Sequence, residues 1–126
     1  MKTLFIGNIT IDDVGDRYRV GGSGYYGGRA LAEYLGAEVY VATHISNDFR
    51  GLIRGALDIY GIKIIELGAN ATPIFIISNG KAIGFKGASP LIDIETVKIY
   101  TKMYGFDILY LTPIMNEISE QHIVHA

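Results

Sequence analysis

The sequence predicts an α/β fold built on a mostly parallel sheet flanked by helices. Two patterns carry that expectation: solid β-branched apolar runs, as in strands buried on both faces, alternate with stretches of helical period that would return the chain between parallel strands. A third, Asn79-Gly80 between two apolar runs, adds one antiparallel hairpin to the plan.

Leu4 to Ile9 reads as the first buried strand, and Tyr18-Arg19-Val20 as a short, half-polar extended piece between Gly15 and Gly21. A helix follows from Gly24 to Leu35, with Ala30, Leu31, Tyr34 and Leu35 at helical spacing and Gly36 as its stop. Glu38 to Ala42 is the second strand. Asn47 or Asp48 caps a helix whose stripe of Phe49, Leu52, Ile53, Ala56, Leu57 and Tyr60 ends at Gly61. Ile62 to Leu67 is the third strand, and Ile74 to Ser78 with Ala82 to Phe85 forms the hairpin, turned by a type I′ turn. A helix from Asp93 to Tyr104 carries Ile94, Val97, Ile99, Tyr100 and Met103 mostly on one side, and Phe106 to Leu111 returns as a buried strand. Beyond Thr112-Pro113 a helix begins near Asn116 or Ser119, and the chain reaches Ala126 within it, as expected of a truncated domain.

Composition narrows the function. At 126 residues the chain is expected to form a single domain able to bury roughly two thirds of its unfolded surface. With 49% hydrophobic and 19% charged residues it is globular, not disordered. A formal charge of -2 supplies no broad positive field for a phosphate backbone, so nucleic acid is not an expected partner. The absence of Cys excludes disulfides, thiolate zinc sites and cysteine nucleophiles. No apolar run approaches the ~20 residues that span a bilayer, and the first residues lack a signal-peptide core. No membrane association and a cytoplasmic location are the expectations.

The densest local signal is Gly21-Gly22-Ser23-Gly24-Tyr25-Tyr26-Gly27-Gly28, directly before a helix. Such a run lets backbone approach something closely. That something is either a ligand lying on bare amides at a helix N-terminus or a sheet packed tightly under the helix. The run contains a GxGxxG, Gly22 to Gly27, which raises a dinucleotide-binding alternative. The preceding Arg17-Tyr18-Arg19-Val20 is too charged for a central parallel strand, and no ribose-binding acid ends the next strand, so the context argues against it. Asp12 and Asp13 follow the first strand, where open α/β sheets place ligand-binding side chains; each is either a hydroxyl-gripping carboxylate or a turn cap. Tyr25 and Tyr26 either stack on a ligand or fill the start of the helix. His44 ends a strand, and His122 and His125, at i and i+3, lack the companions of a metal site.

Gly7-Asn8-Ile9-Thr10-Ile11-Asp12, Gly21-Gly22-Ser23-Gly24-Tyr25-Tyr26, Leu35-Gly36-Ala37 and Ser46-Asn47-Asp48 with Gly51 together resemble the N-terminal half of a ribokinase-like, PfkB family carbohydrate kinase. The likeness extends over essentially the whole chain, through the hairpin at Thr72-Pro73 to Lys81 and the exit at Leu111-Thr112-Pro113. It implies a Rossmann-like ribokinase fold, incomplete here, in which a sugar or nucleoside lies under a small β lid and takes the γ-phosphoryl group of ATP. It implies a substrate-binding set of Asn8, Asp12, Gly21, Gly22, Ser23 and Tyr26 and no catalytic or metal-binding residue in this chain. In that set Asp12 grips sugar hydroxyls, and the diglycine Gly21-Gly22 with Ser23 closes over the substrate. Tyr26 stands where the common pattern has Asn, which argues against ribose itself as acceptor. The lid segment, residues 13–20, is short for a lid-mediated dimer.

In this family the general-base Asp, its anion hole, the magnesium-organising acids and the ATP pocket lie in the C-terminal half, which the resemblance leaves absent. ATP and Mg2+ are thus expected for the complete enzyme and no cofactor for this chain alone, which should be inactive. The second expectation is a non-catalytic binding or assembly module, completed by a partner polypeptide or by self-association through an exposed strand edge. Dinucleotide binding comes third.

Overall fold

The chain runs β1 (Lys2–Ile6), β2 (Thr10–Asp13), β3 (Tyr18–Gly21), α1 (Ser23–Leu35), β4 (Glu38–Thr43), a 3-10 turn (Asn47–Phe49) and α2 (Arg50–Asp58). It continues through β5 (Lys63–Glu66), β6 (Ile74–Ser78), β7 (Lys81–Lys86), α3 (Ile94–Tyr104) and β8 (Ile108–Leu111). The structure, a computed structural model, describes residues 1–112; the helix expected near Asn116 or Ser119 and the pair His122 and His125 lie outside the described residues.

The strands form two sheets of four. The first has the order β5-β4-β1-β8 and is wholly parallel, with Leu4 opposite Tyr40 on one side and Leu109 on the other. Its central strands β1 and β4 are buried on both faces, whereas β8, expected to be a buried strand, starts only at Ile108 and is half-buried at the sheet edge. Leu4, Ile6, Tyr40 and Ala42 pack with Ile92 and Val97 on the α3 side, while Phe5, Val39 and Val41 meet Ile53 and Leu57 of α2 on the other. The second sheet, β3-β2-β6-β7, is mixed: β2 runs antiparallel to β3 and parallel to β6, and β6 and β7 form the expected hairpin. Asn79 at φ 53° and Gly80 at φ 75° supply the two positive-φ positions that a type I′ turn requires.

Several expectations are corrected. The first strand stops at Ile6, not Ile9; the chain leaves for the second sheet past Gly7, whose missing Cβ leaves room for the Thr112 carbonyl oxygen that a side chain there would approach to 2.2 Å. Asp12 and Asp13, expected at the carboxyl end of the first strand, lie in a strand of their own, β2, which joins the 13–20 region and the hairpin into one sheet. The contact face of α1 is Gly24 and Gly28 together with the part-buried Tyr25, Leu31 and Ala32. Gly24 and Gly28 are buried while Tyr34 and Leu35 stand 82% and 66% exposed. Neither Asn47 nor Asp48 caps α2, which has no side-chain cap; the Asn47 side chain accepts from Arg50. Leu52 of the expected stripe is exposed, and Ile53 and Leu57 carry the burial. Gly36 ends α1 in the left-handed region, as expected; α3 starts one residue after Asp93, which caps it by accepting from the Glu95 N–H at 3.1 Å, ends at the left-handed Gly105, and buries Val97 while Ile99 and Met103 of its expected stripe are exposed. Among the described residues no helix is long and apolar enough to cross a membrane.

Candidate functional site

Alternation along β2 splits its side chains between two environments. Ile11 enters the core shared with α1 and α2, and its neighbours Thr10 and Asp12 face the other way, into an open cleft of about 690 Å³. Gly22, Ser23, Tyr26 and Gly27 at the start of α1 form a second wall, and Phe75, Ile77 and Ala82 of β6 and β7 an apolar third. Gly21 lies opposite Thr10 in the β2–β3 ladder, and a side chain there would come within 3.0 Å of both Asp12 Oδ2 and Thr10 Oγ1. Its missing Cβ is what leaves those polar groups room. Gly22, at φ 97°, makes the one-residue turn from β3 into α1 that any side chain would strain. No side chain caps α1 and no acid sits in its first turn, so the positive end of the helix dipole adjoins the cleft unneutralised.

The two aspartates part company here. Asp13 is the turn cap: its Oδ1 accepts from the Gly15 N–H at 3.0 Å, and Lys86 lies 3.9 Å from its other oxygen. Asp12 is the cleft carboxylate, 16% exposed, touched by one long contact from Arg19 Nη2 at 3.4 Å. A single long contact leaves most of its acceptor capacity for a ligand. Of the other residues in the substrate set, Gly22, Ser23 and the half-exposed Tyr26 join Asp12 in the cleft, and Gly21 shapes it from behind. Asn8 stands apart from them, 2% exposed. Its Oδ1 accepts from the His44 N–H at 2.9 Å, and its amide donates to Ser89 Oγ and the Pro90 carbonyl, both at 3.1 Å. That geometry ties the end of β1 to the segments after β4 and β7. Beside it His44 is buried with Nδ1 accepting from the Ala69 N–H; burial holds its pKa below the usual histidine value, against the opposing pull of the Leu91 carbonyl.

The glycine run proves to have two jobs. Gly24, Gly27 and Gly28 lie against Val41, Phe5 and Val39, where an added Cβ would come within 3.3, 2.9 and 3.1 Å, so these are packing glycines; Gly21 and Gly22 are the ones that open the cleft. The GxGxxG lacks its context too, since the strand before it, β3, is antiparallel and on a sheet edge. Among the described residues no group of three or more His, Asp or Glu side chains could hold a metal ion. Sequence reasoning missed Thr10, Arg19 and the Phe75–Ile77 wall. Thr10 and Asp12 carry a readable signal, the i, i+2 pairing of one strand face, which two adjacent aspartates, poor strand formers, obscure.

No protein-family model matches this sequence, and no curated protein matches it. Its fold does match solved structures. A pyrophosphate-dependent myo-inositol-1 kinase converted by mutation into a myo-inositol-3 kinase superposes with a TM-score of 0.67 at 16% identity, over 98% of this chain and 43% of its own. A sulfate complex of a pyrophosphate-dependent kinase in the ribokinase family gives 0.65 at 14% identity, over 98% and 45%. A carbohydrate kinase from Agrobacterium tumefaciens gives 0.56 at 15% identity, over 87% and 44%. The chain spans 43 to 45% of the length of these structures and shares with them, over that span, the fold of ribokinase-family kinases.

Proposed function

We propose that the cleft binds a small polyol and that this chain supplies the acceptor side of a phosphoryl-transfer enzyme. The observation that carries the reading is Asp12, a lightly paired carboxylate at the polar end of a cleft with an apolar far wall. A carboxylate accepts two hydroxyl hydrogen bonds, the Thr10 and Ser23 hydroxyls extend that polar edge, and Phe75 and Ile77 pack on the C–H face of a ring. Held this way, one hydroxyl of the acceptor is oriented for attack on phosphorus, and positioning is the main protein contribution to phosphoryl transfer. The acceptor is a sugar, a cyclitol or a nucleoside; neighbours named as myo-inositol kinases favour the cyclitol.

The donor is ATP, with pyrophosphate as the second reading because solved neighbours are described as pyrophosphate-dependent. Mg2+, when bound to the donor, offsets the phosphate charge, and no acid cluster among the described residues fits it, so donor and ion are assigned to other parts of a complete enzyme. The part this chain plays is to bind, and on its own it turns nothing over. The outer edge of β8, unpaired among the described residues, supports completion of the sheet by further polypeptide. Calorimetric titration of the 126-residue chain with myo-inositol, ribose and adenosine tests the reading. Saturable binding of at least one, lost in Asp12→Ala, is expected; no binding of any, or equal binding by the variant, overturns it.

A further inference from the structure

A second cleft, of about 340 Å³, opens on the far side of Tyr26, between β3, α1 and α2. Its volume is at the small end of ligand pockets, roughly 300–1,000 Å³. Arg17, Arg19 and Arg29 line it together with Tyr18, Tyr25 and Tyr26, and no carboxylate does so among the described residues. That is a concentration of charge against the average of the chain: three of its five arginines meet at one hollow in a protein of formal charge -2.

The quality of their ion pairs sets these arginines apart. On the opposite side of α2, Arg50 holds Glu66 through two of its nitrogens and Arg54 adds a contact at 3.1 Å, so those guanidinium groups are engaged. In the cleft each arginine has one long carboxylate contact instead, Arg17 to Asp16 at 3.6 Å, Arg19 to Asp12 at 3.4 Å and Arg29 to Glu33 at 3.8 Å, and Arg29 is additionally held by a hydrogen bond with the Tyr25 side chain. Each guanidinium offers five donors in a fixed fork, so most remain for an acceptor with several oxygens. Arg29 is also braced, its guanidinium 4.6 Å from the centre of the Tyr60 ring, and Tyr18 is fixed edge-on against Phe49 at 5.2 Å. The lining is thus partly preorganised, with aromatic faces beside a cationic centre.

We propose that this cleft binds the phosphoryl group of a small phosphate ester, with the arginine forks as its donors and the tyrosine rings flanking the organic part. A bidentate guanidinium contact is the geometry that phosphate oxygens match, and convergence of three raises affinity above that of any single surface arginine. The site stands whether or not the neighbouring cleft takes a polyol.

The test is titration of the 126-residue chain at low ionic strength with inorganic phosphate, adenosine monophosphate and ribose 5-phosphate, followed by calorimetry. Saturable binding is expected, weakened at least about tenfold in Arg17→Gln/Arg29→Gln and left within about twofold in Lys81→Gln/Lys86→Gln, which removes the same charge from the hairpin. Arg17→Gln alone, at a side chain 66% exposed, gives a variant that folds and still loses severalfold. Non-saturable binding, or equal losses in the two double variants, would mean diffuse charge attraction and overturn the site. Tighter binding of adenosine monophosphate than of phosphate assigns a stacked base, and tighter binding of ribose 5-phosphate assigns a sugar ester. Asp12→Ala separates the two readings: it abolishes polyol binding, whereas phosphate binding persists and tightens, since the variant frees the Arg19 guanidinium from its carboxylate partner.

Discussion

The two sheets of this molecule are made of similar residues and put them to different ends. In the parallel sheet both faces of β1 and β4 are covered, and Leu4, Ile6, Val39 and Val41 are all 0–1% exposed. In the mixed sheet only Ile11, Val20 and Ile74 turn to the core, while Thr10, Asp12, Phe75 and Ile77 face the cleft and Ile83 and Phe85 are open to solvent at 67% and 53%. A sheet closed on both faces stores stability, and one closed on a single face keeps a surface for ligands. The contrast makes the folding and binding contributions separable by mutation.

The largest effect is expected in the closed sheet. Leu4→Ala empties a fully buried site between β4 and β8 and should lower stability by about 2–5 kcal/mol, read by denaturant unfolding. Next comes the seam. Asn8→Ala strands the buried His44 N–H and should cost about 1–3 kcal/mol, with Ser at that position recovering little because a hydroxyl cannot span three partners. In the open sheet the expected losses move from stability to binding: Asp12→Ala should weaken polyol binding at least about tenfold, ~1.4 kcal/mol, with an unchanged melting temperature. Gly21→Ala, which pushes on the Asp12 carboxylate, should do the same more mildly.

A pH titration sharpens the seam further. His44 is held neutral by burial, so its folded pKa lies below the ordinary 6.5. Above pH 6.5 neither state carries the proton and nothing is lost; as pH falls below 6.5 the unfolded chain takes up a proton the folded one resists, and stability declines. Glu38 and Glu66, whose pKa values are lowered by hydrogen bonds from Lys63 and Arg50, add their own loss only as pH falls below the ordinary 4.5. Thermal unfolding followed between pH 7 and 5 should therefore show a decline that His44→Gln removes. Smallest of all, Ile83→Ala in the exposed hairpin should stay within about 0.5 kcal/mol of the parent; a larger cost would mean that this face is covered in solution.

Local chemistry was legible in the sequence, and distant pairing was not. Asn79-Gly80, Gly36 and Gly61 declare their turns because positive φ selects for them residue by residue. The run Thr10 to Asp13 hid its strand, since it holds two aspartates, poor strand formers, and its ladder to β6 joins Ile11 to Ile74, far along the chain. The same blindness split the site. Asp12, Gly21, Gly22, Ser23 and Tyr26 were readable as a motif, but the Phe75–Ile77 wall reaches them only through that ladder. The convergence of Arg17, Arg19 and Arg29 leaves no signal in the sequence because it depends on packing of β3 against α1 and α2.

The parallel ladder between β1 and β8 has a kinetic consequence. Thr3 pairs with Ile108 and Phe5 stacks on Tyr110 at 4.8 Å, so the strand made first completes its pairing with the strand made last among those described. During synthesis β1 can dock on β4 early, but its second edge stays open until β8 has left the ribosome, and contacts of such sequence separation form slowly. A nascent chain lacking β8 therefore presents an apolar, hydrogen-bond-hungry edge for the whole interval, and it is in that interval that a chaperone would have most to protect.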